Sequence, residues 1–154
     1  MKFRIRAATP ADATVIARLM HALWPEGSVA EHRSECEATL AGKPLSTMPL
    51  ALFVAEDAES TTIGFVEVGL RSHADGCDAR QPVGFVEGWY VSADHRGIGV
   101  GRALIEAAEE WALEQGCIEI ASDTWIDNPA SQEAHQALGF EVVDRCVHFR
   151  KPLR

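Results

Sequence analysis

The stretch Val91-Ser92-Ala93-Asp94-His95-Arg96-Gly97-Ile98-Gly99-Val100-Gly101-Arg102-Ala103 sets three glycines between an apolar run, Val83 to Val91, and an amphipathic run that continues to Gln115. Its local reading is strand, loop, helix. Glycine lets a backbone come close to a ligand, and the unpaired N–H groups at a helix N-terminus hold phosphate or pyrophosphate. A dinucleotide-binding fingerprint does not fit, because the place of its third glycine, counted from Gly99 and Gly101, is taken by Leu104. A P-loop does not fit either, since no Gly-Lys-Ser/Thr occurs. A plain tight turn is the alternative to an anion-binding loop.

Upstream of this stretch, Leu50 to Ala55, Thr62 to Leu70 and Val83 to Val91 are rich in apolar and β-branched residues and separated by polar or glycine-containing segments, as in an antiparallel meander. Phe3 to Arg6 alternates as a short strand. Thr9, Pro10 and Asp12 supply an N-cap, a first-turn proline and an early acid for a helix to about Leu23, with Val15, Ile16, Leu19, Met20 and Leu23 on one face. Trp24-Pro25-Glu26-Gly27 ends it, and a second helix is expected from about Val29 to Leu40. Downstream, a helix over Gly99 to Gln115 turns Ala103, Leu104, Ala107, Ala108, Trp111 and Ala112 inward and stops at Gly116. A strand over Cys117 to Ser122, a helix over Pro129 to Leu138 and a closing pair of strands, Phe140 to Val143 and Cys146 to Arg150, complete the expectation. The order β-α-α-β-β-β-α-β-α-β-β implies an α/β (α+β) domain on a mixed, mostly antiparallel central sheet flanked by helices. A length of 154 residues favours one domain, 1–154.

A formal charge of -9 argues against nucleic acid as a partner and favours a cationic small molecule. No apolar run is long enough for a signal peptide or a membrane span, so a soluble cytoplasmic protein with no membrane partner is expected. Cys36, Cys77, Cys117 and Cys146 lie far apart with no CxxC pair, and the six histidines show no HExxH spacing, so no metal site is expected.

Arg96-Gly97-Ile98-Gly99-Val100-Gly101 resembles the R/Q-x-x-G-x-G/A signature of GNAT acetyltransferases. The resemblance implies a GNAT fold with acetyl-CoA as cosubstrate, its pyrophosphate held by Val91, Arg96, Gly97, Ile98, Gly99, Val100, Gly101 and Arg102. Asn128 to Phe140 resembles the helix that follows in that family, which adds Asn128 to the coenzyme-binding set. Where the family commonly has a tyrosine that protonates the departing thiolate, this chain has His135, so the imidazole either takes the acid role or packs. Leu23-Trp24-Pro25, Gly76-Cys77-Asp78, Val86-Glu87-Gly88 and Ala121-Ser122-Asp123-Thr124 extend the likeness to aminoglycoside 6′-N-acetyltransferases over nearly the whole chain. That resemblance places Trp24, Asp78, Glu87 and Asp123 around the acceptor and implies a homodimer. The chain departs from the pattern in the Arg71 to Pro82 loop, which lacks the expected tyrosine, and at Trp89 and Trp125.

The chemistry gives these carboxylates a purpose of its own. An amine attacks a thioester only when neutral, yet aminoglycoside amines are largely protonated at neutral pH, so a base must take a proton and negative charge must hold the remaining ammonium groups. Asp123 and Glu87, with His135 as acid, are therefore the candidate catalytic residues, and backbone N–H groups near Val91 are the candidate donors to the thioester oxygen. The competing roles are an arginine partner for Glu87 and a helix cap for Asp123. Competing functions are acetylation of a peptide N-terminus, lysine or small metabolite amine, and acetyl-CoA sensing without turnover.

Overall fold

The computed structural model describes residues 2–154 and builds one five-stranded sheet in the order β1-β2-β3-β4-β5. The strands are β1 (Phe3–Ala7), β2 (Leu50–Asp57), β3 (Thr62–Arg71), β4 (Val83–Val91) and β5 (Ile120–Ser122). The first four run antiparallel, and β5 lies parallel to β4. Helices α1 (Ala13–Leu23) and α2 (Val29–Leu40) cover one face, and α3 (Val100–Glu114) covers the other. The expected mixed, mostly antiparallel sheet flanked by helices is the one observed.

Strand alternation divides the core between the two faces. Ile63, Val66, Val68 and Val86 point to α3, where they meet Leu104 and Ile105. Phe65, Leu52 and Val54 point to the opposite face, where they meet Ile16 and Met20 of α1 and Cys36 of α2. Side chains of this size contribute about 1.5–3 kcal/mol each when fully buried, so packing on both faces is what holds the sheet together.

Local chemistry sets the ends of the elements. Pro10–Asp12 forms a tight 3-10 turn ahead of α1, so that helix starts later than its proline suggested. Ser28 Oγ accepts the Glu31 N–H at 3.1 Å and caps α2. Gly116, with φ +86°, ends α3, and the Cys117 N–H turns back to Ala112 O at 3.0 Å. That reversal consumes residues 117–119 and leaves β5 three residues long, shorter than the expected Cys117 to Ser122. Arg6 joins Asp12 and Glu56, with Nη1 to Asp12 at 2.7 Å and Nη2 to Glu56 at 2.6 Å, and so pins β1 to β2 and to the start of α1. The hydrogen bond from Arg6 holds the Asp12 carboxyl down at about 2.

The strands expected over Phe140 to Val143 and Cys146 to Arg150 do not form. A strand exists only through a neighbouring backbone, and no ladder in the described chain reaches residues 140–154. This segment leaves α4 (Pro129–Ala137) at Gly139, packs Phe140 against the core, and beyond it holds its apolar side chains in solvent, Phe149 at 93% and Leu153 at 88% exposure. Val143 touches the 72–82 loop, where a Cβ on Gly76 would fall 2.6 Å from it.

Candidate active site

Strands β4 and β5 touch only through Gly84–Ile120, Phe85–Ala121 and Val86–Ser122. Beyond Val86 the two part, and β4 runs on from Glu87 to Val91 with no neighbour on that side. The opening between them is where α3, α4 and the ends of both strands converge.

The glycine-rich loop forms one wall. Gly97 and Gly99 have φ +78° and +93°, in the left-handed region that glycine tolerates, and a Cβ on either would meet nothing within 4 Å. This is open ground over the N-terminus of α3. The first amide of that helix to reach a carbonyl is that of Ala103, bonded to Gly99 O at 3.1 Å, which leaves the N–H groups of Val100, Gly101 and Arg102 free. Arg96 is tied back, its Nε donating to Val91 O at 2.8 Å, so the loop is braced against the end of β4. Trp89 Nε1 donates to Gly101 O at 3.2 Å, and Arg102 Nη2 reaches Ala137 O at 3.5 Å at the end of α4. Ile98 is exposed, and the Nδ1 atom of His95 in the preceding turn is buried without a hydrogen-bond partner. Unpaired amides, left-handed glycines and open space together fit a pyrophosphate.

Asn128 caps α4, its Oδ1 accepting the Ser131 N–H at 3.1 Å, with Pro129 in the first turn. Its side-chain oxygen is therefore spent on the helix. His135, one helical turn beyond Ser131, faces the opening. Its Nδ1 lies 2.7 Å from Ser131 O and its Nε2 2.8 Å from Ser122 Oγ. A carbonyl can only accept, so Nδ1 carries the proton, and in the neutral ring Nε2 accepts from the Ser122 hydroxyl. The ring also stands edge-on to Trp89 and Phe140, with centroids 5.2 and 5.3 Å apart. His135 is thus both packed and hydrogen-bonded to a hydroxyl at the mouth of the opening.

The opposite wall is acidic. Arg71, at the end of β3, grips Glu87 with two bonds, Nε to Oε1 at 2.9 Å and Nη2 to Oε2 at 2.7 Å, and lies 3.5 Å over the Phe85 ring. The Glu87 hydrogen bonds push the Arg71 guanidinium up despite its partial burial, and the charges of Glu87 and Asp123 add to the effect. Arg71 therefore links the two expected catalytic carboxylates, although only Glu87 bonds to it. Asp123 is exposed just past β5 and caps no helix. Trp24 packs over β4 at Gly88, where a Cβ would fall 2.5 Å from the indole, and it stacks at an angle on Phe65 and His32. Asp78 is held elsewhere. Its carboxylate binds Arg80 at 2.8 Å, and its N–H donates to Glu119 just ahead of β5, at the opposite end of that strand from Ser122 and Asp123.

Glu67, Arg71 and Ser122 were missed by the sequence reading. In the β3–β4 ladder Glu67 pairs with Gly88 and Val68 with Val86, so Glu87 is bulged out opposite Glu67. Because Val66 and Val68 face α3, Glu67 points with Phe65 to the α1 and α2 face, beside Trp24. Burial pushes its carboxyl up to about 7, and the charges of Glu87 and Glu35 push it the same way. Among the described residues no group of three or more His, Cys, Asp or Glu side chains is placed to hold a metal ion.

A pyrophosphate-sized loop at the head of a long helix, beside two strands that part, is the architecture of an acyl-CoA transferase. The chain belongs to the acetyltransferase (GNAT) family, whose family model matches residues 16–140. It is 42% identical to the aminoglycoside N(6′)-acetyltransferase type 1 of Stenotrophomonas maltophilia over 97% of this chain and 93% of the relative. It is also 42% identical to the protein of that name from Klebsiella aerogenes, over 97% of this chain and 96% of the relative. Among solved structures it is similar to AAC(6′)-Iy in complex with the bisubstrate analogue CoA-S-monomethyl-acetylneamine, with a TM-score of 0.87, 35% identity and coverage of 99% of this chain and 100% of the other.

Proposed function

We propose that the protein transfers the acetyl group of acetyl-CoA to the 6′-amine of an aminoglycoside, working as one catalytic domain. The observation that carries this reading is the 42% identity, along 97% of the chain, to a relative named for that activity. The geometry agrees with it. The free amides of Val100, Gly101 and Arg102 and the open loop at Gly97 and Gly99 hold the pyrophosphate, with Arg96 bracing the loop and Val91, Ile98 and Asn128 at its edges. The thioester then lies in the opening between β4 and β5, where the unpaired edge of β4 from Glu87 to Val91 offers N–H groups to the carbonyl oxygen. Trp24 supplies an apolar platform for a sugar ring, and Glu87 and Asp123 supply the negative charge a polyamine needs. Asp78, bound to Arg80 at the far end of β5, takes no part in this set. Ser122 and His135 stand where the thiolate leaves and can return a proton to it.

We assign the protein to the cytoplasm and to a homodimer built on residues 140–154. Val147, Phe149 and Leu153 expose apolar side chains on a segment of strand-like sequence that has no strand partner in its own chain, and a second copy supplies one. Among the described residues no helix is long and apolar enough to cross a membrane. The test of function is an acceptor screen with acetyl-CoA and thiol detection, comparing aminoglycosides that carry a 6′-amine with those that carry a 6′-hydroxyl. Turnover restricted to the amines supports the reading, and turnover of peptide N-termini or small amines alone overturns it. Sedimentation of the full chain against a form truncated after Gly139 tests the dimer, which the truncated form cannot make.

A further inference from the structure

Glu67 is a carboxylate in the acceptor wall with nothing to neutralise it. Arg71 spends both of its near nitrogens on Glu87, and among the described residues Glu67 has neither a hydrogen bond nor an ion pair. Its ladder neighbours are Leu52 on β2 and Gly88 on β4. The ionisable groups that bear on it are Glu87 from β4 and Glu35 from α2, both of like charge. Cys36 of α2 is also near, but burial pushes its thiol up to about 12, so it stays uncharged. A half-buried carboxylate beside an indole, facing two further carboxylates, is completed by a cation. The bulge at Glu87 leaves Glu67 paired with Gly88, the residue over which the Trp24 indole packs.

We propose that Glu67, rather than the arginine-bound Glu87, takes the proton from the acceptor ammonium, an inference that rests on the aminoglycoside reading above. In the step one ammonium N–H bond breaks and its proton passes to a Glu67 oxygen. The freed nitrogen lone pair forms the C–N bond to the acetyl carbon, and the C–S bond breaks with its electron pair on sulfur. The second proton lost by the nitrogen ends on that sulfur, and Glu67 returns its own proton to solvent. A carboxyl poised at about 7 can take and release a proton in neutral solution, whereas Glu87 has both oxygens bonded to Arg71 and serves to hold a second ammonium group.

Two measurements test this. In side-chain carbon-13 NMR of the protein without acetyl-CoA, the Glu67 carboxyl should titrate near neutral pH, and its midpoint should fall when a 6′-amino aminoglycoside is added but much less with the 6′-hydroxyl analogue. In steady-state kinetics Glu67→Gln should lower kcat/KM for the aminoglycoside by about 10²-fold at pH 7, spare the acetyl-CoA KM, and regain activity as the pH rises and supplies neutral amine. Glu67→Asp should keep part of the activity and the same acid limb. A Glu67→Gln enzyme with the wild-type kcat/KM and acid limb, or a Glu67 midpoint that ignores the 6′-amine, overturns the proposal. A wild-type enzyme that turns over no 6′-amino aminoglycoside overturns the acceptor reading, and this assignment with it.

Discussion

Replacing Glu67 with Gln should change how stability depends on pH even with no substrate present. In the unfolded chain this carboxyl titrates at its ordinary 4.5, and in the fold burial and the charges of Glu87 and Glu35 lift it to about 7. The folded state therefore binds the proton more tightly, so its stabilising effect is complete below about pH 4.5 and is lost as the pH rises through about 7. At about 1.4 kcal/mol per pH unit, that interval amounts to about 3 kcal/mol of folding free energy. Gln cannot ionise. The stability of Glu67→Gln minus that of wild type should rise by up to about 3 kcal/mol between pH 4.5 and 8, or about 6–12 °C in Tm for a chain of this size. A buried amide without a partner adds a cost that does not vary with pH, and the acid pairs around Arg6 titrate identically in both proteins, so neither alters the difference. Urea melts of both proteins at pH 5, 6, 7 and 8 read it directly. Parallel curves across that range would refute the account of Glu67 as an unneutralised carboxylate.

Other substitutions probe the remaining parts. Gly99→Val puts a β-branched residue at φ +93° above the free amides of α3, and should raise the acetyl-CoA KM strongly while costing about 1–2 kcal/mol of stability, which melts and initial rates separate. His135→Ala removes the ring between Ser131 O and Ser122 Oγ and should lower kcat by about 10²-fold with little change in either KM; an unchanged kcat confines the ring to packing. Asp123→Asn should lower aminoglycoside kcat/KM without weakening acetyl-CoA binding, since Asp123 follows β5 and is no part of the glycine loop. Arg6→Ala removes the hydrogen bonds that hold Asp12 at about 2 in place of 3.8, and should cost at least about 2 kcal/mol at neutral pH, with the penalty fading as the pH falls from about 4 toward 2.

The glycine loop was legible because its signal is local: left-handed residues, a helix start and a preceding strand all lie within a dozen positions. The meander was legible for the same reason. What the sequence left hidden depends on register. Arg71 and Glu87 meet only because β3 and β4 run antiparallel, with Arg71 beside Val83 and its side chain reaching along the strand. The role of Glu67 depends on one bulged residue in β4, which no composition reveals. Ser122 reads as an ordinary strand-end residue until α4 brings His135 to it. The missing closing strands show the converse: Phe140 to Val143 and Cys146 to Arg150 have strand character, but character does not supply a partner, and β5 offers an edge of three residues.

Gly88 gives the site an uneven capacity for change. A Cβ there would fall 2.5 Å from Trp24 and 3.3 Å from Phe65, so no single substitution is accommodated unless the indole and the ring beneath it shift together. The patch of β4 under Trp24 is therefore closed to gradual alteration. The loop over residues 72–82, by contrast, is largely exposed and meets the rest of the chain through a few bonds such as Asp78 to Glu119. Substitutions can accumulate in that loop at little cost to folding, while the seat of Trp24 on β4 is inherited unchanged.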